Sequence, residues 1–499
     1  AKRLPTSDSK LSKPPAPFSA LAIWNMASLA VVETSTDQSN MKDVVIACVG
    51  KPSAGKSSFL NAGTDHGPPA EPACPSTHPQ MTDATAKVGN YPFTTIKPNN
   101  GIAYFPIECP CKRFNKTNLA DFSTINIVIQ TGRCIEGKRY VPIQILDVAG
   151  LVPGASEGQG LGNQFLDDLR HANALIHVVD VSGTTDAGGK ETVGYDPIGD
   201  IEWLRGEIHS WIYGNLHKRW GQIVRRHVAV KASTAETLHN QLSGYGATLS
   251  IVQRTMDRSG VKDAMDTWDK ETINKVVDAF MDERFPTVIA LNKIDLPDSD
   301  KNISKIMRKY DQNRIVLSSA LAETFLRKLH KQKFIVYEEG TDNVQTKEDL
   351  PDSDLKPLDD KLQSRIEKVQ DLVLYRYGST GVQDVVLKAV EVLGLVPAFP
   401  VKSLTTFANA NGKGVFRDCV LLWPGTTVLE FADIVHPEIA KHYLGAETIG
   451  NRKIGEDDEI TTENNIICFK TSQATHSSAA GAQSGSSGGS GQANQASKK

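Results

Sequence analysis

"KDVVIACVGKPSAGKSSFLNA", Lys42 to Ala62, decides the fold. The run from Val44 to Val49 is apolar and rich in β-branched residues, which reads as a buried strand, and Gly50 ends it in a turn. "GKPSAGKSS" then matches G-x-x-x-x-G-K-[ST], and "FLNA" opens a helix behind it. In that setting glycines let backbone N–H groups wrap phosphate oxygens, Lys56 reaches the outer phosphates and the Ser57 hydroxyl can ligate Mg²⁺. The expected cradle is Gly50, Ser53, Ala54, Gly55, Lys56, Ser57 and Ser58. An ordinary glycine turn is the competing explanation, and the strand context argues against it.

Three further stretches repeat the strand-then-turn pattern: "YVPIQILDVAG" from Tyr140, "ALIHVVDVSG" from Ala174 and "FPTVIALNKID" from Phe285. Separated by helical stretches such as Gln164 to Ala174, they predict an α/β domain with a mainly parallel sheet and helices on its faces. Between Asp186 and Arg284 the period changes. Ile201, Leu204, Ile208, Trp211, Ile212, Leu216, Trp220, Ile223 and Val224 recur at three- and four-residue steps, predicting a long amphipathic helix, and Lys270 to Met281 predicts another. The region reads as a helical insertion hung from the core. A polar linker is expected over 338–361 and a helix over "QDVVLKAVEVLGLV". From Phe399 to Thr471 two short strands flanking one helix suggest a compact α+β module, and the Ser/Gly-rich residues 472–499 should be disordered.

"NKID" supplies the next chemistry. Asn292 and Lys293 would support the loop and the ring, and the Asp295 carboxylate can accept two N–H bonds from a guanine edge. Adenine lacks that donor pair. The tetrapeptide alone is weak, and its position after a buried strand gives it weight. Asp147 in "LDVAG" stands at a strand end where it can hold the water shell of Mg²⁺, although an acidic helix cap would look the same. The Gly150 N–H can sense a γ-phosphate. "FTTIKPN" offers Thr94 and Thr95 for a hydroxyl that closes over Mg²⁺, and Ser319 and Ala320 in "LSSALAE" offer a backbone contact to the base.

With 499 residues, of which 39% are hydrophobic and 23% charged, the chain can bury a large core. A net charge of -3 argues against a wholly basic nucleic-acid binder but allows a local patch. Lys218, Arg219, Arg225 and Arg226 place two basic pairs seven residues apart on one helix face beside Trp220, either solvated surface or an RNA-contacting stripe. Seven scattered cysteines suit reduced thiols and a cytoplasmic location. Cys109 and Cys111 form C-x-C with Cys134 further on, but no second pair stands at zinc spacing, so free thiols in a loop are expected. His171 and His177 read as packing residues. "FSALAIWNMASLAVV", broken by Asn25 and Ser28, falls short of the ~20 residues a spanning helix needs, so no membrane segment is expected. Lys2, Arg3, Lys10 and Lys13 fit a targeting peptide, though a disordered extension over 1–40 is the expectation.

"GNYPFTTIKPN" together with "DVAGLVPGASEGQGLGNQFL" closely resembles the Obg superfamily of GTPases, specifically its YchF-type branch. The resemblance runs from Met41 to about Thr471. It implies a G domain over 41–398 with a helical insertion, a C-terminal TGS domain over 399–471, GTP/GDP and Mg²⁺ as ligands, and association with ribosomes or ribosomal RNA. Lys56, Thr95 and Gly150 would be catalytic, with Ser57, Thr95 and Asp147 at the metal; Thr95 is preferred to Thr94 by family position. Many YchF-type proteins replace the guanine-reading Asp and prefer ATP, whereas Asp295 here points to GTP. Potassium-stimulated relatives carry Asn where this chain has Ser53, which argues against a K⁺ site. "GTDHGPPAEPACPSTHPQ", residues 63–80, interrupts the family pattern as a loop insertion or a retained intron would. Leu151 replaces the water-positioning glutamine of Ras-like enzymes, so slow intrinsic turnover is expected, with glycines at 154, 158, 160 and 162 giving a mobile segment. The competing expectation is a nucleotide-dependent binding module with negligible hydrolysis.

Overall fold

A computed structural model of the protein describes residues 44–64, 99–116, 133–135, 137–148, 150, 154, 162–408 and 414–472. All belong to the unit Lys42–Lys499, separate from Ala1–Met41. The expectations placed on 1–40, on the body of the 63–80 segment, on Thr94, Thr95 and Leu151, and on the tail beyond Ser472 lie outside the described residues.

The first sheet holds β1 (Val45–Val49), β2 (Asn99–Glu108), β3 (Arg133–Ile135), β4 (Lys138–Asp147), β5 (Ala174–Asp180), β6 (Thr287–Asn292) and β7 (Ile315–Ser318). Its order is β2-β4-β1-β5-β6-β7, with β3 also on β4. The strands that carry the motifs, β4, β1, β5, β6 and β7, run parallel as predicted. β2 and β3 pair antiparallel with β4, a ribbon the sequence did not announce. Alternation in β1 explains the two layers. Ile46 and Cys48 enter a core with Phe59, Leu60 and Val386, while Ala47 and Val49 enter another with Phe165, Leu204 and Phe280. Each such fully buried Ile or Phe stabilises by about 1.5–3 kcal/mol.

The long helix is Ile198–Val230, and its buried positions Ile201, Leu204, Ile208, Ile212, Leu216 and Ile223 are those of the predicted stripe. Trp220 stacks on Trp268 at 5.6 Å and so belongs to the packing of this region. Helices Thr234–Leu242, Leu249–Ser259 and Lys270–Arg284 complete it, each opened by a side-chain cap, Ser233, Thr248 and Asp269 in turn. Buried Arg284 donates to Tyr245 O (2.8 Å) inside the region and to Ala172 O (2.6 Å) just ahead of β5, the second bond fastening it to the sheet domain. The helices begin only at Ile198, so the first residues assigned to the insertion do something else, described below. Ahead of the C-terminal module, β8 (Val336–Tyr337), just before the expected linker, pairs with β9 (Val344–Gln345) inside it as a small hairpin.

The helix expected through Val396 ends at Leu393, because Gly394 takes φ +66 at its C-cap. The chain then enters β10 (Val396–Pro400), which starts before the expected boundary at Phe399. With β11 (Val420–Leu422), β12 (Tyr443–Thr448), β13 (Arg452–Ile454) and β14 (Ile466–Thr471) it forms a five-stranded sheet ordered β11-β10-β14-β12-β13. Helix Val428–Val435, opened by a Thr427/Glu430 capping box, packs Phe431 into this module's own core. The class is α+β as predicted, with five strands rather than two.

Candidate nucleotide-binding site

Register places the motif residues along one edge of the first sheet. Asp147 sits opposite Cys48, Asp180 opposite Asn292, and Asn292 opposite Ser318, all at carboxyl ends of parallel strands, while His177, opposite Val49, lies mid-strand in β5. In open α/β sheets that edge is where ligands bind. The P-loop turns there because Gly50 takes φ +146 and Gly55 φ +99, and neither position has room for a side chain. A Cβ on Gly50 would lie 2.4 Å from Val178 O, and one on Gly55 would lie 2.3 Å from Asn292 Nδ2.

Helix Lys56–Thr64 follows, with Ser57 and Ser58 in its first turn. Lys56 is buried, and its Nζ donates to Gly50 O (3.1 Å) and Lys51 O (3.0 Å). Burial lowers its pKa to about 8, against the opposing pull of Asp147. Ser57 Oγ donates to Asp147 Oδ2 at 2.6 Å, so a hydroxyl and a carboxylate form an all-oxygen donor pair suited to a hard divalent cation. Gly150 lies against the same loop, where an added Cβ would stand 3.1 Å from both Lys56 Nζ and Pro52 N. His177 is buried under the loop as expected, and burial, then Lys56, pushes its pKa down to about 3. His171, read as a packing residue, is instead exposed in the turn before β5.

Asn292 joins the two halves of the site. Its Nδ2 donates to Ala54 O at 2.9 Å, and its Oδ1 accepts from Ala320 N at 3.1 Å. Ser319 Oγ donates to Asp295 Oδ1 at 2.7 Å, aiming the carboxylate of a half-buried Asp295. Lys293, at φ +68, reaches back to Asp180 Oδ2 at 2.7 Å, which fixes its stem across the mouth of the site. The structure thus brings together Gly50, Ser53, Ala54, Gly55, Lys56, Ser57, Ser58, Asp147, Gly150, Asn292, Lys293, Asp295, Ser319 and Ala320. The Ala320 N–H, expected on the base, is engaged by Asn292.

Sequence reasoning missed a clamp. Residues 182–196, between β5 and the long helix, fold onto the P-loop. Lys51 Nζ donates to Thr185 O (2.7 Å), pairs with Asp200 Oδ2 (2.9 Å) and lies 4.2 Å from the Tyr195 ring centroid. Ser53 Oγ donates to Gly189 O at 3.1 Å, so the residue that stands in place of the potassium-linked Asn is tied to this loop. Asp180 organises the loop's start, accepting from Ser182 N (3.0 Å) and Thr185 Oγ1 (2.7 Å). The available signal was Asp180 at a strand end before "SGTTD". Beyond Gly150, Gly154 N donates to Glu207 Oε1 at 2.6 Å, which tethers one of the glycines read as mobile to the long helix. No helix among the described residues is long and apolar enough to cross a membrane.

The family model described as "Obg-like GTPase YGR210-like, G4 motif-containing domain" matches residues 290–403, and "50S ribosome-binding GTPase" matches residues 45–200. An uncharacterised GTP-binding protein of Schizosaccharomyces pombe is 50% identical over 434 residues, 87% of this chain and 99% of that one. The crystal structure of a GTP-binding protein from Pyrococcus horikoshii superimposes with a TM-score of 0.61 at 28% identity, covering 86% of this chain and all of that one. A shorter stretch of 165 residues is 34% identical to the ribosome-binding ATPase YchF of Bacillus subtilis, 32% of this chain and 34% of that protein. A nucleotide edge built from these motifs, shared along nearly the whole of a relative, places the chain in the Obg-like GTPases, the family that includes the YchF proteins.

Proposed function

We propose that the protein is a Mg²⁺-dependent GTPase, hydrolysing GTP to GDP and phosphate and acting on the ribosome. The observation that carries the reading is the Asn292 bridge, which holds the phosphate loop at Ala54 and the base-reading loop at Ala320 in one arrangement. In that frame Asp295 accepts the two guanine N–H donors, and adenine would leave the carboxylate poorly satisfied. Lys56 offsets charge on the outer phosphates, and the P-loop N–H groups orient them. Ser57, Asp147 and Thr95 would hold Mg²⁺, which when bound neutralises charge developing on the phosphate oxygens. The Gly150 N–H reports the presence of the γ-phosphate to the segment that follows. With leucine at 151, turnover is slow without a partner.

The names of the matched family model and of YchF support a ribosomal partner, as do Lys218, Arg219, Arg225 and Arg226, all exposed on the long helix. Such a stripe would bind phosphate backbone in a salt-dependent way. Trp220 does not join it, being stacked on Trp268. Single-turnover hydrolysis of GTP and of ATP, with and without ribosomes and in K⁺ or Na⁺, tests the reading. GTP turnover accelerated by ribosomes and indifferent to K⁺ is expected. No turnover in any condition would leave a nucleotide-dependent binding module, and a preference for ATP would overturn the role given to Asp295.

A further inference from the structure

Away from the nucleotide edge, the far end of the β2, β3 and β4 ribbon gathers three cysteines from two separate chain segments. Cys109 follows β2, and its N–H donates to Gly137 O at 2.9 Å in the turn that joins β3 to β4. Pro110 starts a one-turn helix, Pro110–Arg113, that carries Cys111. Cys134 lies in β3, opposite Arg139 of β4. All three are buried, their sulfurs lie within 4.8 Å of one another, and Cys111 Sγ is 3.6 Å from Cys134 Sγ. None of them is in a disulfide. The C-x-C pair alone gave no second pair at zinc spacing; the antiparallel ribbon supplies the third ligand from the strand alongside.

We propose that Cys109, Cys111 and Cys134 bind a zinc ion as three thiolates, with a water in the fourth position. A zinc–sulfur bond of about 2.3 Å in tetrahedral geometry sets two thiolates about 3.8 Å apart, near the spacing of Cys111 and Cys134. Soft thiolate ligands exclude Mg²⁺ and Ca²⁺ and favour Zn²⁺. Electrostatics supports the same site. Zinc with three thiolates carries one net negative charge, which the buried Arg139 guanidinium, facing Cys419, Cys109 and Cys134 as well as the Asp418 carboxylate, would partly offset. Binding releases the thiol protons to bulk water. Cys419, also buried, falls outside the group whose sulfurs converge.

The position gives the ion a structural task. Arg139 Nη1 donates to Arg417 O at 3.0 Å and its Nη2 to Phe416 O, while Phe114, just past the one-turn helix, packs on Phe407 at 4.5 Å and on Phe416 at 5.8 Å. Zinc would therefore pin the end of the ribbon where it meets the segment between β10 and β11.

The test uses the full chain purified without chelator. Elemental analysis should find one zinc per chain, Cys111→Ser and Cys134→Ser should each lose most of it, and Cys419→Ser should keep it. Replacement by Co²⁺ in the wild-type protein should give thiolate-to-cobalt charge-transfer bands and the intense visible bands of a tetrahedral centre, a readout that needs no variant to fold. Removal of the metal should lower the Tm. A cobalt-exchanged protein without those bands, zinc content unchanged in Cys111→Ser, or a Cys111–Cys134 disulfide in the freshly purified chain under non-reducing mass spectrometry would each overturn the proposal. None of these readouts depends on nucleotide turnover.

Discussion

Replacing Asn292 by alanine removes both hydrogen bonds that join the phosphate loop to the base-reading loop. Asn292 is 3% exposed, so the Ala54 carbonyl and the Ala320 N–H are left without their partner in a dry place. Each orphaned buried group costs about 1–3 kcal/mol, which puts the total at roughly 2–6 kcal/mol. The protein can reduce that loss by opening locally and letting water reach the two groups. Nucleotide binding must then reverse the opening, so whatever is spared in stability returns as lost affinity. A loss of about 2 kcal/mol in binding alone is roughly a 30-fold weaker Kd. Urea unfolding of the nucleotide-free protein and displacement of a fluorescent GDP analogue together measure the two parts. Asn292→Asp separates geometry from size: it keeps an acceptor for Ala320 N–H but sets a carboxylate oxygen against Ala54 O, and should be at least as damaging as alanine. An unchanged unfolding midpoint with a Kd within about threefold of wild type would refute the bridge, since the two costs have nowhere else to go. Tolerance of Asp with damage from Ala would show that the acceptor for the Ala320 N–H matters and the donor to Ala54 O does not.

Asp295→Asn removes the carboxylate proposed to accept two guanine N–H bonds and should weaken GTP binding by about 100-fold, at roughly 3 kcal/mol for the pair, with xanthosine triphosphate recovering affinity; competition titrations with both nucleotides check it. For Lys56, the folded pKa of about 8 lies below the ordinary 10.5, so below about pH 8 folding carries the full cost of burying the charge, and stability rises as pH climbs from 8 towards 10.5. Phosphate needs the charged form, so GTP affinity should be level up to about pH 8 and then fall about tenfold per unit, with proton uptake visible by calorimetry in buffers of different ionisation enthalpy. Level affinity to pH 9 would refute the buried lysine. Asp200→Ala leaves the Lys51 ammonium buried without its counter-charge, and urea unfolding should show a loss of about 3–5 kcal/mol; a change below about 0.5 kcal/mol would mean that the clamp does not hold the P-loop.

The parts of this molecule that were legible in sequence are those whose signal is local. A strand end, a tight turn and a helix start fall within a dozen residues at Gly50–Ser58, and each of Asp147, Asn292, Asp295 and Ser319 sits at the end of an apolar strand. The parallel sheet then brings them together without further instruction. What escaped depends on pairs far apart in the chain. Lys51 and Asp200 meet only because the long helix begins beside the P-loop, and "SGTTDAGGKETVGYDP" carries turn residues but no period that says where it lands. The β2 and β3 ribbon was invisible for the same reason, and with it the convergence of Cys134 on Cys109 and Cys111. In the C-terminal module, β11 and β13 are three residues long, and only Ile454 of β13 is buried, too little alternation to distinguish a strand from a loop. His171 shows the opposite error: its apolar neighbours belong to β5, while the residue itself sits in the exposed turn before it.

The clamp also bears on how the site prepares for its ligand. A glycine-bearing loop free in solution would lose conformational entropy each time it wrapped a phosphate. Here Lys51, Ser53, Ala54 and Lys56 all have partners within the protein, and the loop between β5 and the long helix supplies two of them. That contact is close enough to dictate a residue. Gly189 takes φ +79, and a Cβ there would lie 2.7 Å from Pro52 Cβ, so a side chain would both strain the backbone and push the loop off the cradle. Contacts within the protein thus organise the phosphate loop, through Asn292 on one side and through Gly189 and Asp200 on another. On the far side of the strand that feeds the P-loop, Asn99 of β2 pairs with Asp147 of β4, which sets the start of β2 at the same edge as the phosphate loop.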